Sequence, residues 1–229
     1  MSEKVRTMFA SIADRYDAIN TVLSFGIHHR WRKKAVRLSK AGLGDDVLDC
    51  ATGTGDFAIS FKKTVGDEGR VVGTDFCAEM LAPAPVKAQK RNMDIEFSVA
   101  DAMNLPYDDN TFDICSIAFG IRNVDDPEVA LKEMARVVKP GGRVVVLEFG
   151  QPKGLIKLPY KAYSKYFIPT IGGLMSGNRD AYKYLPETSA AFPAGKTFTD
   201  LMMRTGNYSG AEAHTLQSGI AYIYIGTVA

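Results

Sequence analysis

Between Asp45 and Phe149, short apolar runs rich in β-branched residues alternate with segments of helical period, an order that few folds accept. Val47–Cys50, Arg70–Asp75, Ile95–Val99, Asp113–Phe119 and Arg143–Phe149 predict strands. Most are apolar without strict alternation, the pattern of strands buried on both faces of a parallel sheet. Asp56–Lys63, Ala78–Arg91 and Asp126–Val138 predict helices between them. Asp126-Pro127 opens the last of these, and Lys139-Pro140-Gly141-Gly142 stops it. Farther on, a helix over Thr197–Arg204 and a turn at Thr205-Gly206-Asn207 precede two β-like runs near Tyr208–Leu216 and Ile220–Val228. Gln217-Ser218-Gly219 joins those runs as a hairpin, so the last strand should run antiparallel to the rest. The expected fold is α/β: a doubly wound, mostly parallel seven-stranded sheet with an antiparallel C-terminal strand, Rossmann-like, in one domain over residues 1–229.

At 46% hydrophobic and 24% charged residues the chain has a globular composition, not a disordered one. No run approaches the ~18 apolar residues of a membrane-spanning helix, and Met1–Ala10 has no signal-peptide core. Cys50, Cys77 and Cys115 form no CxxC pair and do not cluster with the histidines, so packing roles, no metal site and a reducing cytoplasm are expected. The net charge of +2 is unevenly spread. Residues 1–40 carry nine Lys/Arg against three Asp/Glu, residues 150–196 carry seven against two, and the remainder carries twelve against twenty-one. An acidic core suits a cationic ligand, and basic flanks suit an anionic surface or simply a solvated face. Those flanks are expected to cover the carboxyl edge of the sheet: 1–40 as a basic helical lid, 150–196 as a basic aromatic insertion on the substrate side.

The first predicted strand runs into Asp49-Cys50-Ala51-Thr52-Gly53-Thr54-Gly55-Asp56-Phe57-Ala58. Glycines there let the backbone approach a ligand where strand turns to helix. Gly53-x-Gly55-x-x-Ala58 satisfies the dinucleotide fingerprint, and Asp75, twenty residues after Gly55, is placed for ribose hydroxyls. Spacing alone admits both NAD and S-adenosylmethionine. Charge favours the second. Asp49 and Asp56 bracket the loop and no Lys or Arg lies between Asp45 and Phe61, which disfavours a pyrophosphate and favours a sulfonium and an ammonium. Asp101, at the third strand's end, suits the adenine amino group, with Ala102 and Met103 against the ring; turn formation is the alternative for Asp101.

Three stretches resemble the class I S-adenosylmethionine methyltransferases, and within them the UbiE/MenG family of quinone-biosynthesis C-methyltransferases. They are Tyr16-Asp17-Ala18-Ile19-Asn20-Thr21-Val22-Leu23-Ser24-Phe25-Gly26-Ile27-His28-His29-Arg30-Trp31, Phe119-Gly120-Ile121-Arg122-Asn123-Val124, and Arg136-Val137-Val138-Lys139-Pro140-Gly141-Gly142 continuing to Leu147-Glu148-Phe149. The resemblance implies S-adenosyl-L-methionine as cofactor and methylation of a ring carbon in a prenylated quinol such as demethylmenaquinol. Another small aromatic substrate, or nucleic acid, is the alternative. No Asn/Asp-Pro-Pro-aromatic loop follows the fourth strand, which argues against a flipped base.

Such chemistry needs an ionised phenol, an aligned ring carbon and a dry site. Asp49, Gly53, Thr54, Gly55, Asp75, Asp101 and Ala102 are the expected cofactor contacts. Arg122 is expected to hold the phenolate and Asn123 to orient ring oxygens or water; the other role for Arg122 is an ion pair with an acid such as Asp125. Tyr16, Asp17 and Asn20 are expected to close over the site, with Tyr16, Asn20, Tyr182 and Tyr184 meeting the substrate. His28 and His29 are candidate bases or packing residues, and Trp31 is expected in the core. Lys157, Lys161 and Lys165 recur every four residues among Tyr160, Tyr163, Tyr166 and Phe167, which suits an anionic headgroup region, a pocket lid, or both. Pro159 and Pro169 argue against one straight helix there.

Overall fold

Seven strands form a single sheet in the order β3-β2-β1-β4-β5-β7-β6. They are β1 (Val47–Cys50), β2 (Val71–Asp75), β3 (Glu96–Val99), β4 (Phe112–Ala118), β5 (Val138–Phe149), β6 (Tyr208–Leu216) and β7 (Ala221–Val228). This computed structural model describes residues 3–177, 182, 184 and 188–229. β1 to β5 are parallel, while β7 inserts between β5 and β6 and runs antiparallel to both. The predicted hairpin is therefore the device that turns the last strand around.

Every residue of β1 and β2 is buried, as unalternating apolar runs require. β3 departs from that expectation: it is the sheet edge and largely exposed. Two other boundaries differ for local reasons. The helix predicted over 78–91 splits into α5 (Ala78–Leu81) and α6 (Pro83–Gln89), because Pro83 has no N–H with which to continue α5. β5 starts five residues early, since Val138 pairs with Phe112 and a register shift carries the chain to the Ile114–Arg143 pair. Helix α7 (Pro127–Arg136) begins as predicted, with Asp126 Oδ1 accepting from the N–H groups of Glu128 at 2.9 Å and Val129 at 3.2 Å.

The two faces of the sheet carry separate cores. One packs Leu131 and Met134 of α7 and Phe198 and Met202 of α10 (Lys196–Arg204) against β4, β5 and β7. The other packs Trp31, Ala35 and Val36 of α3 (Ile27–Ser39) with Phe57 and Phe61 of α4 (Asp56–Val65). Of the basic segment 1–40, α3 thus belongs to the sheet, and only α1 (Glu3–Ala10) and α2 (Tyr16–Leu23) lie over the carboxyl edge. There Ile12, Ile19 and Leu23 meet Ile168 and Tyr182 in a small third core. The opposing wall is helical from Lys157 to Ser176: α8 (Lys157–Ala162), a π turn at Tyr163–Phe167 and α9 (Ile168–Ser176). Pro169 cannot donate to the Lys165 carbonyl, and the wider turn just ahead of it absorbs the fault.

β1 is flanked by β2 on one side and β4 on the other, so its loop and that of β4 diverge and open a crevice at their carboxyl ends. A Cβ on Gly120 would lie 2.6 Å from the Ala51 Cβ. We expect Gly120→Ala to force these loops apart at a cost of about 1–3 kcal/mol. Differential scanning calorimetry should then show a midpoint lower by roughly 3–10 °C.

Candidate active site

The loop after β1 is held from beneath by one carboxylate. Asp49 is wholly buried; its Oδ2 accepts the Thr52 hydroxyl at 2.6 Å and its Oδ1 the Ser116 hydroxyl of β4 at 2.7 Å. Burial pushes its pKa up to about 6. Above it Gly53 and Gly55 take φ of +54° and +83°, and a Cβ on Gly55 would crowd Ala84 of α6 at 3.0 Å. Asp75, at the end of β2, accepts the Gly53 N–H through Oδ2 and the Cys77 N–H through Oδ1, each at 2.8 Å. Burial raises its pKa, and the two N–H donors oppose that. Asp101 serves as a turn former, its Oδ1 accepting the Met103 N–H at 2.9 Å, with Ala102 buried beside it.

The charge argument from sequence needs correction. Cations do reach this loop, from helices far away in the chain. Lys87 of α6 donates to Asp17 Oδ2 and Asp56 Oδ1, each at 2.6 Å, and to the Thr54 hydroxyl at 3.0 Å. Thr54 in turn donates to Asp17 Oδ1 at 2.5 Å, tying α2 to the glycine loop. Arg32 stands 3.8 Å from Asp56. Asp49 and Asp75, however, meet only hydroxyl and N–H donors, with no cation at ion-pair distance among the described residues. Two buried carboxylates with no cation at ion-pair distance among the described residues fit S-adenosylmethionine, whose ammonium and sulfonium are both cationic.

A cavity of about 480 Å³ lies next to this acid set, between α2, α3, β4, β5 and the helical wall. Tyr16, Asn20, Arg122, Tyr182 and Tyr184 line it; Asn123 and the acid set do not. Asn123 is buried just behind, its Oδ1 accepting the Tyr184 hydroxyl at 3.2 Å. Tyr16 stands between the two compartments. Burial raises its phenol pKa, Arg32 and Arg122 oppose this from the cavity side, and Asp75 adds to it from the other. Gly172 leaves room for the Tyr182 ring, whose Cγ a Cβ there would meet at 2.4 Å.

Arg122 is ion-paired, which was the alternative to a phenolate-holding role, and its partner is Glu148 rather than an acid close in sequence such as Asp125. Its Nη1 lies 2.5 Å from Glu148 Oε1 and donates to the Phe119 carbonyl at 2.8 Å. Glu148 is wholly buried; burial raises its pKa, and Arg122 works against that. The guanidinium also sits over Phe149, its Cζ 5.4 Å from the ring centroid. His28 is buried beside Arg32 with its pKa lowered to about 3, by burial first and Arg32 second, so its ring is neutral at ordinary pH. Trp31 lies in the core as expected, yet also lines the cavity, its indole N–H donating to Gln217. Glu148, Arg32 and Lys87 hold positions around the site that sequence reasoning did not single out. Only Glu148 left a trace, in the Leu147-Glu148-Phe149 stretch.

Residues 1–228 match the ubiE/COQ5 methyltransferase family. The chain is 59% identical, over 99% of its length and 96% of the relative's, to the ubiquinone/menaquinone biosynthesis C-methyltransferase UbiE of Bdellovibrio bacteriovorus. It is 46% identical, over 96% and 99%, to the demethylmenaquinone methyltransferase of Thermus thermophilus. Among solved structures it resembles a SAM-dependent methyltransferase of Thermotoga maritima, a possible histamine N-methyltransferase, with a TM-score of 0.66 at 21% identity over 96% and 98% of the two chains. The [4+2]-cyclase SpnF gives 0.61 at 18% identity over 99% and 95%. At such identities the structural likeness is one of fold alone. The sequence matches extend further: the chain belongs to the ubiE/COQ5 methyltransferase family.

Proposed function

We propose that the protein moves the methyl group of S-adenosylmethionine onto a ring carbon of a prenylated quinol, with demethylmenaquinol as the substrate. The observation that carries this is the cavity: guanidinium groups at one end, aromatic walls from Phe119, Phe149, Tyr160 and Tyr163, and a margin at the exposed Phe25. A charged quinol ring and an apolar tail need those two kinds of surface together.

When bound, the cofactor supplies an electrophilic methyl on a sulfonium. Asp75 would accept from the ribose hydroxyls, Gly53, Thr54 and Gly55 would let the ligand approach the backbone, and Asp101 with Ala102 would take the adenine. Asp49 would supply negative charge that favours the cationic groups of the cofactor. On the substrate side Arg122 stabilises the phenolate, which pushes charge onto the carbon to be methylated. Asn123 acts through the Tyr184 hydroxyl, and Tyr16 and Asn20 close the site against water. The tail leaves past Tyr163 toward the helical wall, where Leu155, Leu158 and Leu174 are exposed beside Lys157, Lys161 and Lys165. Among the described residues no helix is long and apolar enough to cross a membrane. The proposed membrane contact is therefore peripheral, with lysines meeting anionic headgroups and leucines the acyl boundary.

Asp75→Ala should weaken S-adenosylmethionine binding at least tenfold by calorimetry, since each lost hydrogen bond to a charged acceptor is worth roughly 1.5–3 kcal/mol. An unchanged dissociation constant would remove Asp75 from the cofactor site. Arg122→Ala leaves Glu148 buried without its cation, with only backbone N–H donors remaining, a defect of about 3–5 kcal/mol. The informative variant is therefore Arg122→Met with Glu148→Gln. It should fold and keep cofactor affinity while turnover of a short-chain quinol falls by a hundredfold or more, on the order of an oxyanion donor's loss. Full activity in that double variant would show that Arg122 serves only as an ion-pair strut. Replacing Lys157, Lys161 and Lys165 with glutamine should weaken binding to phosphatidylserine-containing liposomes by about 1 kcal/mol per residue, leaving turnover of a water-soluble quinol intact. Undetectable liposome binding by the unmodified protein would reduce the segment to a pocket wall.

A further inference from the structure

Three arginines line the cavity; Arg30 is exposed, whereas the side chains of Arg32 and Arg122 are buried, and of these two only Arg122 has a carboxylate within hydrogen-bond distance. Arg122 has the Glu148 carboxylate at 2.5 Å. The carboxylate nearest to Arg32 belongs to Asp56, 3.8 Å away, and Asp56 already holds Lys87 at 2.6 Å. Arg32 is 8% exposed, so little of its charge is screened by water.

Its environment aims it rather than satisfies it. Nη1 lies 2.5 Å from His28 Nδ1. The neutral His28 ring accepts there, so its proton is on Nε2, which faces the Thr21 hydroxyl at 3.5 Å. His28 is thereby occupied as a brace for Arg32 and has no free acceptor with which to serve as a base. Arg32 Nε is buried and has no hydrogen-bond partner among the described residues. The same holds for Arg122 Nε and the Tyr182 hydroxyl, both also on residues that line the cavity. The two guanidinium groups rest on adjacent rings: Arg32 Cζ is 5.8 Å from the Phe119 centroid, Arg122 Cζ is 5.4 Å from that of Phe149, and the two rings are 4.6 Å apart.

A ring bearing one oxygen needs one such partner. Unmatched buried donors on two separate guanidinium groups call for two oxygens on the same ring. We infer that Arg32 is a specificity-determining residue which binds the second oxygen of a 1,4-dihydroxy aromatic ring while Arg122 holds the first. This rests on the quinol reading above and adds to it the requirement for both hydroxyls. A ligand lacking the second oxygen would leave the Arg32 donor buried and unmet, and sites built to hydrogen-bond a hydroxyl reject analogues without it.

Trp31 is the chain's single tryptophan and lines the same cavity, so its fluorescence reports what binds there without any turnover. The protein, saturated with S-adenosylhomocysteine, would be titrated anaerobically with a singly prenylated naphthalene-1,4-diol and with the matching naphthol that keeps one hydroxyl. The unmodified protein should bind the diol at least tenfold more tightly. Arg32→Gln should bind the two equally, with its affinity for the naphthol within about twofold of the unmodified protein's and its S-adenosylhomocysteine affinity unchanged; these thresholds follow from the loss of one hydroxyl contact. Arg32→Lys, which keeps the charge but loses the planar fork, should retain part of the preference and covers the case in which the glutamine variant does not fold. Equal binding of both ligands by the unmodified protein, or an undiminished preference in a folded Arg32→Gln, overturns the assignment. Failure of the unmodified protein to bind either ring overturns the quinol reading itself.

Discussion

The architecture depends on one buried carboxylate at the point where the sheet changes direction. Asp49 lies on β1, with β2 on one side and β4 on the other, and its two oxygens accept hydroxyls from Thr52 of the glycine loop and Ser116 of β4. Burying an acid without a cation is unfavourable, and the rise of its pKa to about 6 expresses that cost. A carboxylate in that state stabilises any positive charge placed above it. The residue that fixes the crevice geometrically is therefore also the one that sets its preference in charge.

The cavity side follows a different electrostatic logic. Arg122 and Glu148 form a buried pair, and such pairs seldom stabilise a fold more than apolar residues of the same volume would. What this pair secures is direction. With Nη1 held by Glu148 and the Phe119 carbonyl, the rest of the planar group has little freedom, and Nε is left buried without a partner among the described residues. The acid compartment attracts a cation and the arginine compartment an anion, with Tyr16 between them. In the proposed reaction that segregation would place a sulfonium donor and a phenolate acceptor on opposite sides of Tyr16, leaving positioning as the main task.

The sheet was legible in the sequence because its strands answer to a short-range rule. β1 matches its predicted bounds, and Asp126 caps α7 where an Asp-Pro pair should. The misses share a cause. β3 reads as buried from its residues, yet only the strand order shows it to be an edge. The break at Pro83 was visible locally but weighed too little against a long helical period. Around the site, Glu148, Arg32 and Lys87 were not singled out, since each takes its place through a partner distant in the chain. Lys87 shows this most clearly: a charge count along the glycine loop finds no cation, while the fold brings one to 2.6 Å from Asp56. The preference for a sulfonium cofactor survives because Asp49 and Asp75, unlike Asp56, remain without a cation among the described residues.

The sheet positions the cavity, and the segments that flank it supply much of the lining. The fold is shared with proteins whose names describe different reactions, the [4+2]-cyclase among them, so the sheet by itself cannot specify chemistry. The residues before Gly26 supply Tyr16 and Asn20, and those after Phe149 supply Tyr160, Tyr163, Tyr182 and Tyr184, all to the same cavity. Arg122 and Phe119 come from the loop after β4, and Arg32 from a helix that is otherwise part of the sheet's own core. The sheet holds the two guanidinium groups at fixed positions, and the flanking helices decide the shape and polarity of what reaches them.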